Sequence, residues 1–302
     1  MKWKKLSVIF KASNQTPWMY SHTAMPMAMH MEGDVFRIYF GSRTEYNRPS
    51  VSYIDIDINK PDSPLRISEK PVLTAGKPGC FDDNGLYPGS ILKVQDKVRM
   101  YYMGRSNGQD GMYYMSIGVA DSYDGGDTFE RFSEAPIMGR SHYDPWMVTT
   151  PWVAQSQGQW RMWYTSGLGW NKDLSVSYYH IKQTESLDGL KWEDSDSVAI
   201  ELLDNETNIA APTILREDEL YHMWFSYVPS KSHSYRLGYA TSEDGCSWER
   251  QTIQSGLELS DDGWDSLCMA YPCVFKHNDK LYMLYSGNEL GKAGIGLAVR
   301  YE

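Results

Sequence analysis

Cysteine is sparse in this chain of 302 residues: Cys80, Cys246, Cys268 and Cys273 are the four, no two are spaced C-x-x-C, and no histidine pair accompanies them. That excludes the usual zinc spacings, so buried free thiols, a reducing cytoplasmic setting and no metal or other cofactor are expected. Long apolar runs are missing as well. No stretch approaches the ~18 residues of a membrane-crossing helix. The apolar run Leu-Ser-Val-Ile-Phe near the basic N-terminus is too short for the core of a secretion signal, so this segment reads as part of the folded domain. Positive charge is in the minority, with 29 Lys and Arg against 39 Asp and Glu, a formal net charge of -10. Nucleic acid and anionic membrane surfaces select basic faces, so neither is an expected partner. A neutral ligand, or an anionic one held by a few local arginines, is compatible. Nor does any segment keep a helical period long enough to trust.

What the chain has instead is aromatic residues, 14% of the total with 22 Tyr and 11 Trp, set within a regular repeat. Five alternating segments read as strands: VFRIYF from 35, VRMYYM from 98, WRMWYT from 160, LYHMWF from 220 and LYMLYS from 281. Their equivalent positions Ile38, Met100, Met162, Met223 and Met283 are 62, 62, 61 and 60 residues apart. Upstream of each lies a proline (Pro26, Pro88, Pro151, Pro212, Pro272). Downstream come IGVADS, YHIKQTES, LGYATS and IGLAVR, followed by a Ser-x-Asp-Gly turn and an aromatic strand.

One repeat is thus four strands, and five such repeats without helices predict an all-β fold. The expected architecture is a five-bladed β-propeller with four-stranded blades, a single domain over residues 1–302. Proline lacks the N–H of a sheet ladder and is tolerated at an edge; in a propeller the first strand of each blade is an edge and lines the channel. The fifth repeat stops at AVRYE without a fourth strand, while the N-terminal KWKKLSVIF carries Trp3 where other blades have Phe129, Trp192 and Trp248. The N-terminal strand is therefore expected to close the ring, which removes exposed edges. The turns themselves, SYDGGDTF, SLDGLKW and SEDGCSW, need Asp as a cap and Gly for positive φ, and are scaffold.

Chemistry is expected at the mouth of the channel, where first strands begin. Asp82, Asp83, Asp144, Glu206 and Asp265 precede their blade's proline by five to seven residues, and His22 precedes Pro26 by four. Carboxylates around one pocket can break a glycosidic bond, one protonating the leaving oxygen and another attacking or activating water. Asp83, Asp144 and Asp265 are the catalytic candidates, with Glu206 behind them. The competing reading is that such aspartates cap turns. Arg43 and Arg105 end the second strands of blades one and two, Asn288 and Glu289 hold that place in blade five, and Arg236 and His180 open third strands. Arginines here can clamp a carboxylate, phosphate or sugar hydroxyls, or form interblade ion pairs. His22 is either a donor to substrate or a satisfied core residue, and Trp170 is a candidate sugar-stacking platform.

SYDGGDTF resembles the Asp-box of sialidases and other propellers, where it is structural. The five-fold repeat resembles, across the whole chain, the five-bladed propeller glycosidases that include family 43 arabinanases and xylosidases, family 32 invertases and family 130 mannoside phosphorylases. More narrowly, SHTAMP, FDDNGLYPGS, DPWMVTTPW, YHIK, WDSLCMAYP and YSGNELGKAGIGLA are similar to glycosidase-like proteins encoded among surface-polysaccharide genes. The resemblance implies a glycoside hydrolase acting on an oligosaccharide or glycoside. Phosphorolysis, with phosphate held by Arg43, Arg105, Arg236 and His180, and a non-catalytic carbohydrate-binding propeller are the alternatives. There is one departure. Family 43 enzymes place acids close to the start of the first strands, often beside a proline, whereas the residues before the five prolines here are Met25, Tyr87, Thr150, Ala211 and Tyr271.

Overall fold

The structure is a computed structural model that describes residues 2–301 except 15, 110–111, 157, 233 and 252–255. The described strands form five four-stranded antiparallel sheets. After β1 (Lys2–Phe10), the first blade comprises β2 (Ser21–His30), β3 (Val35–Arg43), β4 (Pro49–Asp57) and β5 (Arg66–Ile67). The second comprises β6 (Leu86–Val94), β7 (Lys97–Asn107), β8 (Tyr113–Ser122) and β9 (Glu130–Arg131). The third holds β10 (Val148–Ser156), β11 (Gln159–Trp170), β12 (Ser177–Ser186) and β13 (Val198–Ile200). The fourth holds β14 (Glu206–Glu217), β15 (Leu220–Pro229), β16 (Arg236–Ser242) and β17 (Glu249–Arg250). In the fifth, β18 (Ala270–His277), β19 (Lys280–Ser286) and β20 (Ile295–Tyr301) are completed by β1, which pairs antiparallel with β20. Each edge strand β2, β6, β10, β14 and β18 contacts the next, and β18 returns to β2. This is the closed five-bladed propeller expected from the repeat.

The periodic anchors are its core. Ile38, Met100, Met162, Met223 and Met283 are all 0% exposed, and burying a side chain of this kind contributes roughly 1.5–3 kcal/mol. The Ser-x-Asp-Gly turns weld neighbouring blades. Asp188 accepts the backbone N–H of Leu190 and Lys191, both at 2.8 Å, and Asp244 those of Cys246 and Ser247 at 2.7 and 2.8 Å. Each turn then accepts a bond from the preceding blade: Tyr39 Oη donates to the Gly126 carbonyl, Tyr101 Oη to that of Gly189 and Trp163 Nε1 to that of Gly245. The aromatic after each turn meets the same partner edge-on: Phe129 on Tyr39, Trp192 on Tyr101, Trp248 on Trp163, and Trp3 of the closing strand on Trp224. The cysteines form no disulfide; Cys268 and Cys273 are buried as expected, whereas Cys80 and Cys246 are only half-buried, a correction to the expectation for those two.

All five edge strands break register near their prolines, between Ala24 and Met27, Pro88 and Ile91, Thr149 and Trp152, Ala210 and Thr213, and Ala270 and Cys273. Proline cannot donate to the ladder, so a bulge forms there. In four blades the residue before it takes a left-handed conformation: Met25 (φ 56), Thr150 (φ 45), Ala211 (φ 54) and Tyr271 (φ 59). Such a backbone costs ~1–3 kcal/mol at a non-glycine residue and persists only where neighbours hold it. The Ala211 N–H donates to Thr150 Oγ1 at 3.1 Å and the Tyr271 N–H to Ser226 Oγ at 2.8 Å.

Candidate functional site

All five edge strands deliver side chains to one cavity of about 190 Å³: Ala24 and Met25 from β2, Tyr87 from β6, Thr149 and Thr150 from β10, Ala210 from β14 and Tyr271 from β18. A cavity that takes a wall from every blade lies at the hub. Second and third strands and their loops add Arg43, Met103, Arg105, Tyr113, Thr165, Tyr179, Tyr235 and Leu290. Gly41 makes room for one wall, since a Cβ there would come within 2.1 Å of the Tyr87 ring. A wider hollow of about 470 Å³ shares Tyr235 and Leu290 and carries Glu289, Asn208, Ser177 and Cys268. Glu289 and Leu290 stand in a single turn, Asn288–Gly291, with left-handed φ of 55 and 56. The turn is held against β2, where Thr23 Oγ1 donates to the Gly291 carbonyl at 3.1 Å.

No carboxylate stands among the described residues lining the hub cavity, but two guanidinium groups do. Arg43 donates Nε to the Tyr87 hydroxyl at 2.9 Å and Nη1 to Asn47 Oδ1 at 3.0 Å, both neutral partners. Arg105 lies 5.3 Å from the centroid of the Tyr113 ring, and among the described residues its buried Nε has no hydrogen-bond partner. Elsewhere Arg37, Arg99, Arg131, Arg161, Arg250 and Arg300 each meet a carboxylate; among the described residues Arg43 and Arg105 meet none. Burial pushes the phenols of Tyr179, Tyr235 and Tyr271 well above their ordinary range, so they stay protonated and can donate. His22, beside Arg43, hydrogen-bonds Ser21 Oγ through Nδ1; burial first, then the Arg43 and Lys292 charges, hold it down to about 4, so it is neutral at pH 7.

The structure places the expected acids elsewhere. Asp144, 2% exposed, accepts bonds from Tyr164 Oη at 3.0 Å, Ser166 Oγ at 2.6 Å and Lys182 Nζ at 3.1 Å within the third blade. Asp265, 0% exposed, accepts from Tyr285 Oη at 3.0 Å and pairs with Lys5 of the closing strand at 2.7 Å. In the second blade the equivalent residue is Asp82, bound by Tyr102 Oη at 3.2 Å and Arg131 Nε at 2.8 Å, not Asp83. Asp83 Oδ2 caps a turn through the Gly79 N–H at 2.9 Å. Glu206 is gripped by Arg250 at 2.6 and 2.9 Å. The expected convergence of Asp83, Asp144 and Asp265 on the axis is therefore corrected: each acid ties the loop before a first strand, and none lines the hub cavity.

The remaining expected site residues divide. Arg43 and Arg105 line the cavity; His22 does not, but it lies close enough to Arg43 to feel its charge. Trp170 stands behind it, edge-on to Tyr113 at 5.0 Å. Asn288 accepts the Leu267 and Cys268 N–H groups at 2.8 and 2.9 Å and so fixes the loop before β18. Arg236 caps the Ser234, Tyr235 and Leu267 carbonyls and borders a different cleft. His180 is buried and 3.9 Å from Glu201, outside the cavity wall. The tyrosines Tyr87, Tyr113, Tyr179, Tyr235 and Tyr271 were not among the expected site residues. Three were signalled by their place: Tyr87 and Tyr271 directly before a proline, and Tyr113 at the start of a third strand.

No protein-family model matches the chain. Two Mycobacterium tuberculosis proteins, the uncharacterized proteins MT1551 and Rv1502, are each 39% identical to it over 300 residues, 99% of this chain and 99% of theirs. Among solved structures, a glycoside hydrolase superposes with a TM-score of 0.77 at 17% identity, over 99% of this chain and 93% of its own. A thermostable family-43 glycoside hydrolase does so at 0.70 and 18%, over 93% and 91%. The Bombyx mori GH32 β-fructofuranosidase BmSUC1 does so at 0.65 and 17%, over 93% of this chain and 61% of that one. At these identities the shared property is the five-bladed fold.

Proposed function

This chain belongs to the family of the Mycobacterium tuberculosis proteins MT1551 and Rv1502, and we propose that it binds a glycan in the hub cavity. One observation carries the reading: all five edge strands turn side chains into a single hollow whose walls combine phenol rings and methionine side chains with threonine hydroxyls and two guanidinium groups. Rings offer flat apolar faces to the C–H side of a sugar, and the donors meet its hydroxyls; a concave, largely apolar site with a few convergent polar groups is the general form of a small-ligand pocket. The volume of about 190 Å³ suits one terminal sugar unit, with the hollow beyond Tyr235 and Leu290 receiving the next. Two-carboxylate hydrolysis by Asp83, Asp144 and Asp265 is not supported, because acids locked to Lys182, Lys5 or a turn N–H do not face a substrate there.

The test is a glycan array followed by calorimetric titration of the retained glycans. Saturable binding that is lost in Tyr271→Ala and kept in Asp83→Asn is expected; loss in Asp83→Asn with retention in Tyr271→Ala would reverse the assignment. A second reading, glycoside hydrolysis, draws support from the fold shared with glycoside hydrolases, including a β-fructofuranosidase, and from Glu289 at the edge of the adjoining hollow. It predicts release of reducing ends with time, abolished in Glu289→Gln.

A further inference from the structure

We propose that the ligand of the hub cavity is acidic, a glycan bearing a carboxylate or phosphate group that seats between Arg43 and Arg105. This deepens the glycan-binding reading and rests on it. In a chain with a formal net charge of -10, most arginines meet a carboxylate; among the described residues Arg43, Arg48, Arg105, Arg140 and Arg236 do not, and of these five only Arg43 and Arg105, at equivalent positions of β3 and β7 in adjacent blades, line the hub cavity. Among the described residues no carboxylate lines the cavity to balance either cation. Arg105 keeps a buried Nε with no acceptor among the described residues, a state that costs free energy until an oxygen arrives. Arg43 is oriented by Tyr87 and Asn47, and its Nη2 makes no bond among the described residues. The two planar forks therefore offer donors of the kind that carboxylate and phosphate oxygens accept in pairs. The surrounding groups do not oppose an anion: Tyr179, Tyr235 and Tyr271 are protonated phenols, and His22 is neutral. The nearby acid Glu289 points its charge at Lys292, 2.7 Å away.

The experiment compares three probes by titration at low and high salt: an oligogalacturonate, the same oligosaccharide with its carboxyl groups reduced to alcohols, and inorganic phosphate. Glycan binding itself is read in parallel on an array of neutral and acidic glycans. The expected result is that acidic glycans are retained over neutral ones, that added salt weakens them, and that Arg43→Gln and Arg105→Gln each weaken them about tenfold or more. Arg105→Lys, which keeps the charge but not the fork, should lose less than Arg105→Gln, and unchanged melting of all variants shows that the loss is not unfolding. Phosphate displacing the acidic glycan identifies a phosphate-sized seat; a carboxylate glycan that phosphate does not displace identifies a uronate seat. Either supports an anion seat. Neutral and reduced glycans binding as well as acidic ones, and indifferently to both arginine substitutions, would overturn the acidic ligand while leaving the glycan site intact. Retention of no glycan at all would overturn both.

Discussion

Two rings of polar residues run through the same five-fold repeat, and they differ in what they lack. Inside the blades, Asp82, Asp144, Glu206 and Asp265 are each matched to a cation, Arg131, Lys182, Arg250 and Lys5. At the hub, Arg43 and Arg105 stand among phenols and hydroxyls with no acid among the described lining residues. The inner-blade ring is repetitive and closed; the hub ring changes residue from blade to blade and is left open. Where a repeat keeps its chemistry constant it is holding itself together, and where it lets the chemistry diverge it has been freed for a ligand.

The sharpest way to break the comparison is Asp144→Ala, which leaves Lys182 buried without a counter-charge. It should cost about 3–5 kcal/mol in urea unfolding, and a cost under about 1 kcal/mol would show that the pair is not a scaffold element. Tyr164→Phe removes only the phenol bond to Asp144 and should cost about 0.5–1.5 kcal/mol on the same assay. At the hub the sign reverses. Arg105→Met, which removes a donor unpartnered among the described residues, should leave stability equal or raise it by up to ~1 kcal/mol while weakening ligand binding about tenfold or more. Ala211→Gly relieves a left-handed backbone and should add up to about 1 kcal/mol, read as a higher melting temperature.

The smallest effect lies at the rim. Asp244 is held down to about 2, chiefly by the N–H groups of Ser247 and Cys246, against an ordinary value near ~3.9. A carboxyl depressed in the folded state stabilises fully above its unfolded value, and that stabilisation is lost as pH falls from about 4 toward 2. The melting temperature should drop across that window, and Asp244→Asn should flatten the drop; an equal slope in both proteins would contradict the capping role.

The fold was legible because Ile38, Met100, Met162, Met223 and Met283 mark one buried position per blade, and Trp3 supplied the missing aromatic that identified the closing strand. The site was legible in part. Arg43 and Arg105 were found through their matching phase, but Arg236, in a similar place, is consumed by the carbonyls of its own loop and Leu267, which no pattern announces. The acids were misplaced for a physical reason: Asp82, Asp144 and Asp265 are each held inside the fold by a second-strand phenol and a cation, so the residues five to seven positions before the proline do not reach the axis. A sequence signal for this exists within the chain. Tyr102, Tyr164 and Tyr285 occur on second strands in the blades whose loops carry Asp82, Asp144 and Asp265, whereas Phe40 and Phe225 stand there in the other two. A phenol that appears only with its acid is that acid's hydrogen-bond donor.

The central claim is that the hub cavity, with its unpaired arginines, meets the ligand. A crystal structure with an acidic oligosaccharide retained on the array tests it most directly. The account predicts the acidic group within hydrogen-bonding distance of Arg43 and Arg105 and the sugar ring against Tyr87, Tyr113 or Tyr271. A sugar seated instead against Asp83, Asp144 or Asp265, with both arginines untouched, would contradict it.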